Sequence, residues 1–183
     1  MAAALDNSRD MEQFLASVEK RAFRMAQIAT SSTEDALDIV QDAMLGLVKR
    51  YSRRPQSEWK PLFFRILVTR IRDWYRRKKV RTRWRIWLRR TDPSDMADPL
   101  EAMPDTGTPD PARQFELGDS VAALDAALHS LPLRQQQAFL LRAWEGLDVK
   151  QTARAMKCSA GSVKTHYSRA VHALRRQLKD YRP

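Results

Sequence analysis

Apolar residues return every three or four positions along most of the chain, the period of an amphipathic helix, and no two-residue alternation marks a strand. The pattern predicts an all-α fold. A first helix covers Asp10–Ile28, with Phe14, Val18, Ala22, Met25 and Ala29 on one face. Ser31, Ser32 and Thr33 end it and supply an N-cap before Glu34. A second helix, Glu34–Tyr51, turns Leu37, Val40, Met44 and Leu47 inward and Asp38, Gln41, Asp42 and Lys49 outward. After Ser52–Glu58, a longer helix runs from about Trp59 to Lys79, with Pro61 as a point of bending.

The pattern resumes near residue 117. Leu117, Val121, Leu124, Ala127, Leu128 and Leu131 form a stripe, and Pro132 suits the first turn of a following helix. Leu133, Phe139, Leu140, Leu141 and Trp144 continue the apolar content until Gly146, a natural helix stop. Leu147–Leu178 then has the layout of a helix-turn-helix. Val149, Ala153 and Met156 form the apolar face of a short helix, Lys157–Gly161 the turn, and a second helix runs from Ser162. Its Val163, Tyr167, Ala170 and Leu174 share one stripe. Thr165, Ser168, His172, Arg175 and Arg176 lie opposite, flanked by Lys164 and Arg169. A polar and basic face without acids suits the major groove of duplex DNA.

Charge sharpens this picture. The 183 residues carry a formal charge of +11, which points to a polyanionic partner. Lys49 to Arg90 alone hold seventeen Lys/Arg and two acids, so the remainder is net acidic. On a helical projection of the third helix, Arg65, Arg72, Arg76 and Lys79 cluster almost opposite Phe63, Leu67 and Trp74. They form a ridge roughly two dozen ångströms long at 1.5 Å per residue. No acid interrupts it, and a phosphate backbone would relieve its self-repulsion. Trp84 and Trp87, set among arginines, either stack on unpaired bases or close the end of the core, with packing favoured.

Thr91–Arg113, rich in Pro and Asp, interrupts the helical pattern as an extended acidic linker. Two helical units result, 8–90 and 114–181, joined by 91–113. The single cysteine, Cys158, excludes an internal disulfide and lies in the turn, where a small packed residue is expected. It lacks metal-ligand spacing with the three histidines, and five glycines form no phosphate-cradling loop. Neither metal nor cofactor, nor small-molecule substrate, nor enzymatic activity is expected. No apolar run approaches the length of a membrane span and no signal-peptide design opens the chain, so a cytoplasmic protein is expected.

Three segments carry a family resemblance. DALDIVQDAMLGLVKRY, LFFRILVTRIRDWYRRKKVR and LHSLPLRQQQAFLLRAWEGLDVKQTARAMKCSAGSVKTHYSRAVHALRRQL, in that order, resemble regions 2.2, 2.3–2.4 and 4 of the bacterial sigma-70 family, in its extracytoplasmic-function (ECF) branch. The resemblance implies a subunit that directs core RNA polymerase to promoters and helps open them. Asp38, Gln41 and Asp42 would dock on the β′ clamp helices, and the segment Ser52–Lys60 would capture a flipped base of the −10 element. Arg65, Thr69, Arg72, Arg76, Arg77 and Lys79 would line the strand path. Lys164, Thr165, Ser168 and Arg169 would contact the −35 duplex, the second helix of region 4 would meet the β flap, and the acidic linker would thread toward the RNA path. An anti-sigma factor is an implied partner, one that could hold the protein at the inner membrane.

The chain departs from the family pattern at Thr69 (Asn in the family), Leu62 (Trp) and Met44 (Phe). Thr69 stays beside the ridge with a shorter hydrogen-bonding arm. A LuxR-type regulator would explain Gly161–His166 but leaves the Lys49–Arg90 tract and the linker without a role. An RNA-binding protein using the arginine tract is a third reading.

Overall fold

The computed structural model describes residues 2–87 and 119–179. Among them seven helices follow in order: α1 (Ala2–Thr30), α2 (Thr33–Tyr51), α3 (Gln56–Trp87), α4 (Asp119–His129), α5 (Leu133–Phe139, continued by a π-helical turn, Leu140–Trp144), α6 (Val149–Met156) and α7 (Ala160–Gln177). All regular structure among the described residues is helical. The 91–113 linker and Leu117 lie outside them, as do the side chains of Trp84 and Trp87.

Local chemistry sets the boundaries. Thr30 ends α1, and Ser31 turns the chain through a left-handed φ of 54°. The Ser32 side chain then caps α2 by accepting from the Asp35 N–H at 3.2 Å. Glu34 and Asp35 in the first turn of α2, and Lys49 and Arg50 in the last, complement the helix dipole. Pro61 lies inside α3, which starts at Gln56, three residues earlier than the pattern predicts, and reaches Trp87 rather than Lys79. A proline this close to a helix start removes one early hydrogen bond without ending the helix.

The core of the first unit is a stack of α1, α2 and α3. Val18, Ala22, Met25 and Ala29 of α1 are buried as the periodicity requires. From α2 the buried set is Ala36, Ile39, Val40, Ala43 and Leu47. Leu37 is a correction: the pattern turns it inward, but it is 48% exposed, and Met44 is only half-buried. Ile39 and the small alanines fill the space instead. Trp59, Phe63, Phe64, Leu67 and Ile71 of α3 are fully buried. Phe14 packs on Trp59 and, edge-on, on Phe63, with ring centroids 5.8 and 6.2 Å apart.

In the second unit Pro132 is the residue before α5 rather than part of its first turn. The predicted α4 stripe is buried only at its end. Ala127, Leu128 and Leu131 are in the core, whereas Val121 and Leu124 are 50% and 39% exposed. Those two side chains line a groove of about 730 Å³ with Phe23 and Ile28 of α1 and Phe139 and Trp144 of α5. Buried residues of both units merge into one continuous cluster, and α3 packs along α6. The two units are therefore docked on one another, a relation that periodicity does not specify.

Gly146 ends α5 with φ +67°. A Cβ added there would meet nothing within 4 Å, so any cost of substitution is backbone strain alone. Gly146→Ala is expected to destabilise the protein by about 1 kcal/mol, the usual penalty for an L side chain in this region. Urea unfolding should show a lower midpoint with an unchanged slope.

Candidate nucleic-acid interface

The helix-turn-helix is built from caps and one apolar stripe. Asp148 accepts from the Gln151 N–H at 2.7 Å while the Gln151 side chain accepts from the Asp148 N–H at 2.9 Å, a reciprocal capping box that starts α6. Lys157 ends α6 in the left-handed region at φ 52°. Ser159 then caps α7 by accepting from the Ser162 N–H at 3.0 Å. The turn is thus shorter than expected, Lys157–Ser159, and α7 begins at Ala160 rather than Ser162. Val163, Ala170 and Leu174 are buried, and Tyr167 stacks on Phe139 at 6.2 Å. That anchoring sets the rotation of α7 and leaves Lys164, Thr165, Ser168 and Arg169 together on its exposed face. The Thr165 hydroxyl donates back to the Gly161 carbonyl at 3.1 Å, which leaves its lone pairs free to accept.

Cys158 in the turn is half-buried. Burial pushes its thiol above the ordinary value, against an opposing pull from Arg134, so it is a poor thiolate. Among the described residues no cluster of three His, Cys, Asp or Glu could hold a metal ion, and no helix is long and apolar enough to cross a membrane.

The six strand-path candidates on α3 have different surroundings. Arg76 and Arg77 are exposed, and Lys79 is partly so. Arg65 instead donates to the Tyr51 hydroxyl at 2.7 Å, with its guanidinium 5.6 Å from the centre of that ring. Thr69 donates to the Arg65 carbonyl at 2.8 Å. Arg72 faces the second unit. Burial, then the charges of Arg134 and Arg76, pull its pKa below the ordinary arginine value, and its Nε is buried without a hydrogen-bond partner among the described residues. The ridge seen on a helical wheel is therefore split between open cations at its C-terminal end and an arginine facing the seam. Trp74 is 8% exposed, in the core as its position on the wheel requires, with Lys78 Nζ 4.6 Å from its ring centre.

Both units match described families. Residues 11–81 match Sigma-70 region 2, and residues 122–174 match Sigma-70, region 4. RNA polymerase sigma-E factor of Streptomyces antibioticus is 32% identical over 79% of this chain and 71% of its own length. The sigma-E factor of Streptomyces avermitilis is 29% identical over 93% of this chain and 86% of its own. The chain belongs to the ECF branch of the sigma-70 family. It is an RNA polymerase sigma factor, and the LuxR-type alternative is not favoured. A solved sigma factor, RpoE from Bartonella quintana in complex with the anti-sigma factor NepR, shares the fold at a TM-score of 0.64 and 22% identity, over 95% of this chain and 99% of its own.

Two parts of this sigma factor's surface differ from what the sequence pattern predicts. On α2, Asp38, Gln41 and Asp42 are exposed, as expected for region 2.2, but Leu37, Leu45 and Val48 are exposed beside them. Asp42 also lies 3.8 Å from Arg70. Leu37, Gln41, Leu45 and Val48 have helical spacing of their own, masked because Leu37 also fits the spacing of the inward face with Val40, Met44 and Leu47. The second part is the segment expected to capture a base. Gln56 onward is helix, and Trp59 is fully buried, its indole N–H donating to the Arg54 carbonyl at 2.9 Å. Only 52–55 lie outside helices.

The docked units meet through ion pairs that sequence reasoning missed, because the partners are far apart in the chain, Arg24 and Asp125 by 101 residues. Arg24 of α1 donates to Asp125 of α4, and His129 Nδ1 donates to the Asp125 carbonyl at 2.9 Å and lies 3.5 Å from its carboxylate. Burial raises the Asp125 pKa, but the bond from His129 and the charge of Arg24 outweigh it, and the net shift is below the ordinary 3.8. A lowered carboxylate pKa contributes stability at pH values above the ordinary one, and that contribution disappears as pH falls through the lowered value. The stability advantage of the native protein over Asp125→Asn should therefore be present above 3.8 and shrink as pH drops below it. Urea titrations of both proteins across that range check the sign.

Proposed function

We propose that region 2 spans residues 8–90 and region 4 residues 114–181, joined by the 91–113 linker, and that each contacts a different promoter element. The reading is carried by the placement of exposed cations: they gather on the outward face of α7 and on the α3 stretch around Arg76 and Arg77, one set in each matched region. Lys164, Thr165, Ser168 and Arg169 contact the −35 duplex from the major groove. Arg65, Thr69, Arg72, Arg76, Arg77 and Lys79 serve the separated −10 strand, with Arg76 and Arg77 the members already open to it. The α2 face, Asp38, Gln41 and Asp42 with Leu37, Leu45 and Val48, docks on the β′ clamp helices. Its mixture of apolar and acidic groups suits a protein partner better than a phosphate backbone.

Trp144 and Phe139 of α5 offer apolar surface to the β flap. The RpoE relative is bound by an anti-sigma factor, and we extend that partner class to this chain, along with a cytoplasmic location that such a partner could shift to the inner membrane. The protein directs polymerase chemistry and carries none of its own.

Two measurements test the assignments. Replacing Lys164 and Arg169 by Ala should weaken holoenzyme binding to a −35 duplex. The slope of log K against log salt should fall in magnitude by about 0.9 for each phosphate that the variant leaves without its cation. Reversing Arg76 and Arg77 to Glu should reduce promoter opening by tenfold or more, equivalent to about 1.4 kcal/mol, with core binding little changed. An equal fall in core binding would show that these arginines do not serve the strand.

A further inference from the structure

Arg134 stands in the first turn of α5, where the helix dipole disfavours a cation and no acid accompanies it. Its guanidinium does not serve α5. Nη1 donates to the Met156 carbonyl at 2.7 Å, at the last residue of α6. That carbonyl is one of the four that a helix end leaves without an internal partner, and the negative end of the dipole favours a cation there. The charge is misplaced for its own helix and well placed for a neighbouring one.

The bonded carbonyl opens the turn of the helix-turn-helix. Lys157 follows it in the left-handed region, at φ 52°, a conformation that a residue with a side chain keeps only when its surroundings hold it. The Lys157 and Cys158 N–H groups both donate to the Ala153 carbonyl, the second at 3.1 Å, and close the turn from one side. Arg134 closes it from the other. Its charge reaches Cys158 as well, where it opposes the rise that burial imposes on the thiol. α7 begins at Ala160, so little chain remains in which a displacement at Met156 could be absorbed.

The recognition helix is referenced to the same support. α7 packs along α5, and Tyr167 stacks on Phe139 with ring centroids 6.2 Å apart. One helix thus carries a contact to each half of the motif, Arg134 to the end of α6 and Phe139 to the middle of α7. The apolar contact limits rotation of α7. The polar one sets where α6 stops and how the turn leaves it.

We propose that Arg134 is a positioning residue for promoter recognition: by holding the end of α6, it fixes the angle at which α7 presents Lys164, Thr165, Ser168 and Arg169. This rests on the −35 reading of α7. The bond of Arg134 is to protein, so it should contribute base discrimination without neutralising a phosphate.

The test uses the holoenzyme. A duplex library randomised over the −35 element gives the sequence that the native protein selects, and titrations give its affinity relative to a scrambled duplex. Arg134→Met should lower that ratio about tenfold while the slope of log K against log salt stays unchanged. Arg134→Lys, which keeps a cation and a donor, should recover most of the loss. An unchanged ratio in a folded Arg134→Met chain, even with a lower melting temperature, overturns the inference and leaves Arg134 a stabilising residue only. A slope smaller by about 0.9 also overturns it, since Arg134 would then be a phosphate ligand. If circular dichroism shows that Arg134→Met does not fold, Arg134→Gln, which removes the cation and keeps a donor, replaces it under the same criteria. A parallel chain with Lys164, Thr165, Ser168 and Arg169 all replaced by Ala separates the two readings. If it keeps the native ratio, the −35 reading of α7 fails and the inference falls with it. If it loses the ratio and Arg134→Met keeps it, only the inference falls.

Discussion

A single helix, α3, has to bury apolar surface on two sides and present cations on what remains. Trp59, Phe63 and Leu67 pack with α1 and α2, Phe64 and Val68 extend the buried arc toward the side that α6 covers, and Arg76 and Arg77 stay in water. Because those arcs share one cylinder, Arg72 falls at their border and is drawn into the seam with its charge intact. Long basic stems reconcile the two demands by covering apolar surface while the head group seeks water or phosphate.

Under the proposed assignment, the two units divide the work of recognition by the kind of nucleic acid each suits. A short helix-turn-helix, capped at both helix starts and anchored by Val163, Tyr167, Ala170 and Leu174, presents a rigid face shaped for duplex. A long helix with successive arginines, backed by a tightly packed three-helix core, suits a separated strand followed along its backbone. Weak binding at each site can suffice, since attachment to polymerase converts the second encounter into a local event.

The helices and the exposed face of α7 were legible because each depends on residues within a few turns of one another. The α7 stripe is regular, so Lys164, Thr165, Ser168 and Arg169 could be placed outward from spacing alone, and the structure leaves all four exposed. Errors arose where one periodicity had two claimants. On α2 both faces carry leucines at helical spacing, and Leu37 went to the wrong one. On α4, Val121 and Leu124 continue a valid stripe past the point where a partner covers it. Along α3, a wheel shows which side is basic but not that Tyr51 ties Arg65 or that Arg134 confronts Arg72.

The sequence by itself determined an all-helical fold, the family to which the chain belongs and which face of α7 is polar and turned outward. Those properties follow from composition and from the 3.6-residue period, which act locally. Only the tertiary structure decided that the units dock, that Glu145 is buried between Arg21 and Lys60, and that part of α3 is covered as a result. Such pairings join residues far apart in the chain, and no periodic pattern specifies which distant charge will meet another. The decision belongs to packing: once α6 settles along α3, a carboxylate at that depth must find its cations across the seam.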